Sequence, residues 1–190
     1  MKKHVLLGLV LATSAGGAVA AEVGLGVSLD LSYSPSSAIS VPIIVSDSLL
    51  IEPYYREEDE DNKRTGTFAL RYKYKSSELG VGLFYRSEVK NGISYYMGAR
   101  VGYLDNGYLI EESDGGGGEE RTYGYAVSPT LALQYEVMPK LMISGELDWA
   151  FSSAKGRYYS VDTLPASIVQ NDVSKKTRET GSRIFVRYFF

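Results

Sequence analysis

The 190-residue sequence has no cysteine and a single histidine, His4. Without thiols there are no disulfides, no thiolate metal sites and no lipidated N-terminal cysteine. Such a chain also crosses an oxidising compartment with no wrong pairings to make. Long apolar runs are equally scarce. The one near the N-terminus is interrupted by Gly8 and by residues 13–17, so it falls short of the ~20 continuous apolar residues of a membrane-spanning helix. What it does have are the parts of an export leader: a basic start at Lys2 and Lys3, an apolar stretch over 5–12, and small residues leading to Ala18-Val19-Ala20. This pattern predicts a secretory signal peptide over residues 1–20, cleaved at an A-x-A site. Its removal takes away His4, two lysines and no acid, so a chain of net charge −3 becomes more acidic still. The composition implies no strong basic patch and argues against nucleic acid as a partner.

Past the leader no segment is apolar for long enough to span a bilayer as a helix. Only a closed barrel could then cross one, because lipid offers no partner to unpaired backbone groups. The remaining stretch, 21–190, is long enough for one domain. Period-2 alternation marks eight segments of roughly the 9–11 residues that a tilted membrane strand needs: 22–33, 49–57, 68–75, 79–86, 93–103, 123–137, 141–151 and 181–190. The first is the cleanest, with Val23, Leu25, Val27, Leu29, Leu31 and Tyr33 on one face and Gly24, Gly26, Ser28 and Asp30 on the other. If it runs outward, the periplasmic turns fall at 58–66, 90–92 and 138–140. The external connections then fall at 34–47, 76–77, 104–122 and 152–180. Short turns on one side and long loops on the other are the asymmetry of an outer-membrane barrel. The sequence therefore predicts an all-β fold, an eight-stranded antiparallel transmembrane β-barrel with up-and-down meander topology, in the outer membrane.

Depth provides a second test. In that threading Tyr33, Tyr74, Tyr103, Trp149 and Phe151 lie at the outer strand ends, while Tyr55, Phe68, Tyr95 and Tyr135 lie at the inner ends. Two aromatic girdles flanking an apolar band suit the two lipid–water boundaries. A soluble sandwich or lipocalin-like barrel also alternates, but it would leave this placement by depth unexplained. Pro53 and Pro129 count against either architecture, since each removes a ladder donor.

The C-terminal segment 184–190 alternates Ile184, Val186, Tyr188 and Phe190 against a face carrying Arg187, and the sequence ends on Phe190. With this strand, the chain resembles the small eight-stranded outer-membrane barrels of the OmpA transmembrane-domain and OmpX type, over essentially all of 22–190. The resemblance implies that Val186, Tyr188 and Phe190 form the signal read by the barrel-assembly machinery. It also implies outer-membrane lipid and lipopolysaccharide as surroundings, and a monomer. The periplasmic domain of full-length OmpA-type proteins has no counterpart in this sequence, so its anchoring role is not carried over.

An eight-stranded barrel has a lumen only wide enough for its own side chains. The inward positions of the threading carry Glu52, Arg71, Lys73, Arg86, Arg100, Glu136, Glu146, Asp148, Arg183 and Arg187. Isolated buried charges are costly, so these should pair into a network that plugs the tube; the alternative is a narrow conduit for small solutes or ions. Enzymes on small outer-membrane barrels, such as lipid A deacylases, phospholipases and omptin-type proteases, resemble one another in using a histidine. The mature chain has none, so no catalytic residue, metal or cofactor is expected. A Ser–Lys pair among Ser152, Ser153 and Lys155 reads as solvated loop chemistry. The glycine run 115–118 with its flanking acids, and the acidic run 57–61, read as solvated connections. Val161, Leu164, Ile168 and Val169 set apolar residues in the expected loop 152–180, an argument for contact with a surface ligand or host partner. The expected function is thus membrane integrity or adhesion through external loops.

Overall fold

The computed structural model describes residues 21–31, 36–64, 70–112, 116–163 and 166–190. Nine strands form: β1 (Glu22–Asp30), β2 (Ser37–Ser40), β3 (Ile43–Ser46), β4 (Leu49–Arg64), β5 (Leu70–Lys90), β6 (Ile93–Glu112), β7 (Gly117–Met138), β8 (Leu141–Thr163) and β9 (Ala166–Phe189). Every pairing is antiparallel, and β2 and β3 share the place between β1 and β4. The last strand returns to the first, from Gly24 opposite Phe189 to Asp30 opposite Arg183. Nine strands thus close a ring of eight staves.

The register fixes the size of the ring. Paired residues followed round from Val27 run through Ile39, Tyr55, Leu79, Tyr103, Tyr125 and Ser153 to Lys176. Directly across the seam Val27 meets Val186, ten residues away on the same strand. A stagger of ten over eight staves tilts the strands by about 40° and sets a backbone radius of about 8 Å. Such a tube is filled by its own side chains.

Two prolines enter the wall without opening it. Each residue of an antiparallel ladder presents its own N–H and C=O to the same side. The Pro53 carbonyl accepts from Val41 N at 2.9 Å, so its missing donor faces the interruption between β2 and β3, where Pro42 has already broken the ladder. At Pro129 the β7–β8 register passes from Val127 opposite Phe151 to Thr130 opposite Asp148, leaving Ser128 and Pro129 unladdered. The Thr130 hydroxyl donates to the Ser128 carbonyl at 3.0 Å and satisfies the gap.

The structure corrects the threading in two places. Segment 37–46, expected in an external loop, is a stave of the wall, hidden from alternation by the Pro42 break. The expected turn at Ser76-Ser77 does not exist, because β5 runs unbroken from Leu70 to Lys90 with Ser76 and Ser77 paired to Asn106 and Asp105. One strand missed and one strand split leave the count at eight but reverse the direction of β4. Tyr55, expected at the inner boundary, therefore pairs with Leu79 at the outer one. Removing the false turn also changes face assignments, because strand parity is strict. Lys73 and Arg71 point outward, while Tyr72 and Tyr74 share the inner face with Glu78. Among the described residues, the expected external loops 104–122 and 152–180 are likewise extended strands of β6–β7 and β8–β9, and 58–64, expected in a periplasmic turn, lies on the external side.

Around the outside, Leu25, Val27, Leu79, Val81, Leu83, Val101, Leu131, Leu147 and Val186 are all partly exposed. Below this belt sit Tyr85, Tyr95, Tyr135, Tyr188 and Phe190, and above it Tyr55, Tyr103, Tyr125, Trp149 and Phe151. Tyr95 and Tyr103 are eight residues apart on β6, about 20 Å of height at this tilt, close to the apolar band of an outer-membrane barrel. Tyr33, Phe68 and the leader 1–20 lie outside the described residues. Tight turns at 47–48, 91–92 and 139–140 lie just beyond the lower girdle. The turn after β5 takes positive φ at Asn91 (55°) and Gly92 (76°), the backbone of a two-residue hairpin that asparagine and glycine tolerate. Above the upper girdle the strands from β4 to β9 continue as tall hairpins, which marks that end as external.

Cysteine labelling tests this orientation in a chain with no native thiol. Lys73→Cys and Lys155→Cys should react with a bulky impermeant maleimide on intact cells, and Asp47→Cys only after the outer membrane is opened. Labelling of Asp47→Cys alone on intact cells would invert the assignment.

Candidate functional site

The lumen has a layered filling. Near the periplasmic end Ile44, Leu50, Phe84, Tyr96, Ala132, Met142 and Phe189 form an apolar plug. Above it four charges from four staves make a closed cycle. Arg100 reaches Glu52 and Glu146 at 2.8 Å each, and Arg187 reaches Glu52 at 2.6 Å and Glu146 at 2.8 Å. All four are fully buried. Each carboxylate meets two guanidinium groups and each guanidinium two carboxylates, so the ring is neutral and no ion is left alone in a dry interior. Aromatic faces hold it from the sides: the Arg100 guanidinium lies 5.0 Å from the Phe84 ring and 5.1 Å from Phe185, and that of Arg187 lies 4.3 Å from Phe185. The Tyr96 hydroxyl donates to Glu146, and Arg187 donates to Ser144 Oγ at 2.6 Å.

Smaller groups continue outward. Arg183 pairs with Asp148 at 2.7 Å and approaches Asp30 at 3.7 Å. Arg56 pairs with Glu78 at 3.2 Å, and Tyr54 donates to Glu78 at 2.5 Å. Glycines make room for these side chains: a Cβ on Gly82 would meet the Phe84 ring, and one on Gly102 would meet Glu78.

Of the residues expected in the lumen network, Glu52, Arg100, Glu146, Asp148, Arg183 and Arg187 are brought together. Four are elsewhere. Arg71 stands on the external face and pairs with Asp61 at 2.6 Å and Glu111 at 3.4 Å, and Lys73 faces the same way. Arg86 lies at the periplasmic rim beside Asp47 and Glu88, and Glu136 is exposed there and accepts from Lys140 N at 3.3 Å. Tyr54 and Tyr96 join the network from the inner face that alternation gives them with Glu52 and Arg100, and Glu78 belongs to it without having been expected there; parity with Gly80 places it on the inner face.

The second candidate region is the external sheet. Among the described residues β1 ends at Asp30 and β2 begins at Ser37, while β4 to β9 go on. The ring becomes an open six-stranded sheet. Among the described residues, β9 over 166–181 and β4 beyond Glu58 have no strand on the side of the missing staves. The inner wall of this sheet carries Tyr72 and Tyr108, stacked with centroids 6.3 Å apart, and Lys175 crosses Gly156 to pair with Glu120. Burial pushes the Tyr74 phenol up, and Glu58 and Glu60 from one edge and Glu179 from the other add to the shift. Outside, the hydrogen bond from Arg71 holds the Asp61 carboxyl below the usual range. Ser76 donates to Asn106 at 2.7 Å and so ties β5 to β6 where the sheet leaves the membrane.

No protein-family model matches the sequence, and no curated protein matches it. Solved structures do match the fold. A major outer membrane protein from Thermus thermophilus superposes with a TM-score of 0.63 at 13% identity, covering 90% of this chain and 100% of that one. Ail, the attachment invasion locus protein of Yersinia pestis, crystallised with the heparin analogue sucrose octasulfate, superposes with a TM-score of 0.53 at 10% identity over 90% and 97% of the two chains. The fold is therefore that of the small eight-stranded outer-membrane β-barrels. Its apolar belt and two aromatic girdles are those of that architecture.

The cycle of charges makes a sharp energetic prediction. Arg100→Met leaves Glu52 and Glu146 to share Arg187 alone, one buried negative charge in excess, and should cost about 3–5 kcal/mol, read as urea unfolding in phospholipid vesicles. Adding Glu146→Gln should restore part of the loss. Equal stability of Arg100→Met and the parent would mean the ring is hydrated and contributes little.

Proposed function

We propose that the protein is a non-enzymatic barrel that recognises a partner at the cell surface through its external sheet, with the membrane tube as a rigid mount. The observation that carries this reading is the contrast between the two halves. The lumen is packed shut by an apolar plug and a neutral charge cycle, while six strands extend past the membrane and end in two open edges. Such edges offer unpaired main-chain donors and acceptors to an extended segment of another protein. The Ail structure, of the same fold, holds a heparin analogue, and this agrees with recognition as the use of the external half.

The same packing supports this reading over passage of solutes. Catalysis is disfavoured by chemistry: the mature chain has neither histidine nor cysteine, and Ser152 shares its hydroxyl with Thr177 at 2.6 Å on the face opposite Lys155. In this proposal the leader 1–20 is cleaved on export, and Val186, Tyr188 and Phe190, which stand together on the lipid face of the closing strand, serve the barrel-assembly machinery. The mature protein acts as a monomer in lipid and lipopolysaccharide.

A register-preserving truncation tests the proposal. Gly156 and Val173 are opposite one another, so joining β8 to β9 just below them by a two-residue turn removes only external ladder. The shortened protein should fold with unchanged heat-modifiable mobility and lose attachment to host cells or matrix when expressed on a non-adherent bacterium. Unchanged attachment would reject the surface role. Stable single-channel conductance of the parent in planar bilayers, altered by Arg100→Ala, would favour the conduit instead.

A further inference from the structure

The lipid-facing side of β7, β8 and β9 changes character just above the upper girdle. Arg121, Lys155, Arg157, Lys176 and Arg178 all point outward and are exposed. The register sets them side by side: Arg121 is directly opposite Arg157, Lys155 is opposite Tyr123, and Lys176 and Arg178 are opposite Ser153 and Phe151. Three strands thus assemble a basic patch that an acidic sequence did not announce. Acid on this face is outnumbered: Asp105 reaches Arg121 at 3.4 Å, Glu119 stands two positions from Arg121 on the same face of β7 and Asp172 is opposite Arg157, while Lys155, Lys176 and Arg178 make no ion pair among the described residues. The neighbouring face of β4 and β5 is built differently, because there Lys75 pairs with Glu57 at 2.6 Å and Arg71 with Asp61 at 2.6 Å.

Like charges directly opposite on a sheet repel. Arg121 and Arg157 are offset by the acids beside them, but Lys155, Lys176 and Arg178 are not, so the patch keeps an excess of positive charge that an added anion would neutralise. Height says which anion. Arg178 is level with Phe151 of the girdle, and Lys155 and Arg157 follow on β8 within six residues of it, about 15 Å along the barrel axis. That is the polar layer of the outer leaflet, where the headgroups lie.

We propose that this patch is a binding site for the phosphate groups of the outer leaflet's phosphorylated glycolipid, lipopolysaccharide. The Tyr123, Tyr125 and Phe151 rings cover its uppermost acyl carbons, and the five basic side chains hold the phosphates on its sugars. Arginine supplies forked donors suited to phosphate oxygens, and Arg121 is kept in place by the Tyr123 ring, 5.2 Å from its guanidinium carbon. The site lies on the outer surface of the wall and is separate from the edges and inner wall invoked for partner recognition, so either assignment can fail without the other.

The test is titration of the full mature protein, in detergent micelles, with rough-type lipopolysaccharide and with the same lipid after chemical dephosphorylation. Dephosphorylation, or the double substitution Arg157→Gln with Arg178→Gln, should each weaken binding roughly tenfold or more, and added salt should weaken the parent in the same sense. Lys73→Gln, on the neutralised face, should leave binding unchanged. Heat-modifiable mobility checks that each variant is folded, and the single substitution Lys155→Gln, expected to weaken binding several-fold, serves if the double variant does not fold. Equal affinity for the dephosphorylated lipid, an equal loss with Lys73→Gln, or tighter binding of a soluble sulfated oligosaccharide than of lipopolysaccharide would overturn the proposal.

Discussion

The demand that every peptide group inside the hydrocarbon find a partner on the chain itself governs this protein. Hydrocarbon supplies no hydrogen bonds, so the sheet must close, and it closes where Gly24 to Asp30 meet Phe189 to Arg183. Closure at eight staves with a stagger of ten leaves a bore just wide enough for side chains to fill. The inner face is then a protein core turned to polar use. Guanidinium and carboxylate groups that would be solvated on a larger barrel are forced together, and they are tolerable only as a neutral cycle. The charge ring is thus a consequence of the circumference.

The legibility of this architecture in the sequence followed the same constraint. Alternation was clear where both faces had strong and opposite demands, as in β7, where Tyr125, Val127, Leu131 and Leu133 face lipid and Thr130, Ala132 and Gln134 are buried. It failed where a strand is broken by chemistry or leaves the membrane. Pro42 divides the second stave into four-residue pieces too short to read by period. Above the girdle both faces of β5 meet water, so tyrosine and lysine no longer report orientation, and Ser76-Ser77 looked like a turn though it bridges β5 to its neighbours. Because parity carries along a strand, that error moved Arg71 and Lys73 to the wrong side.

The candidate sites divide on similar lines. Members of the lumen ring could be named because a charge amid lipid-facing neighbours has only one tolerable direction. The basic patch could not, since its five residues come from three strands and meet only through the β7–β8–β9 register. Net composition concealed it. The two open edges were equally hidden, because they depend on two staves stopping early rather than on any motif.

The unequal height of the staves gives the molecule a front. Strand length rises from 16 residues in β4 to 24 in β9, while β1 has 9 and stops at Asp30. The tallest stave therefore stands beside one of the lowest, like the parapet of a spiral stair at the step where it begins. A visitor arriving over that threshold reaches the tyrosine-lined interior directly, and one arriving from any other bearing meets a wall. Rotation about the membrane normal, which is irrelevant for a symmetric pore, here decides which encounters are productive.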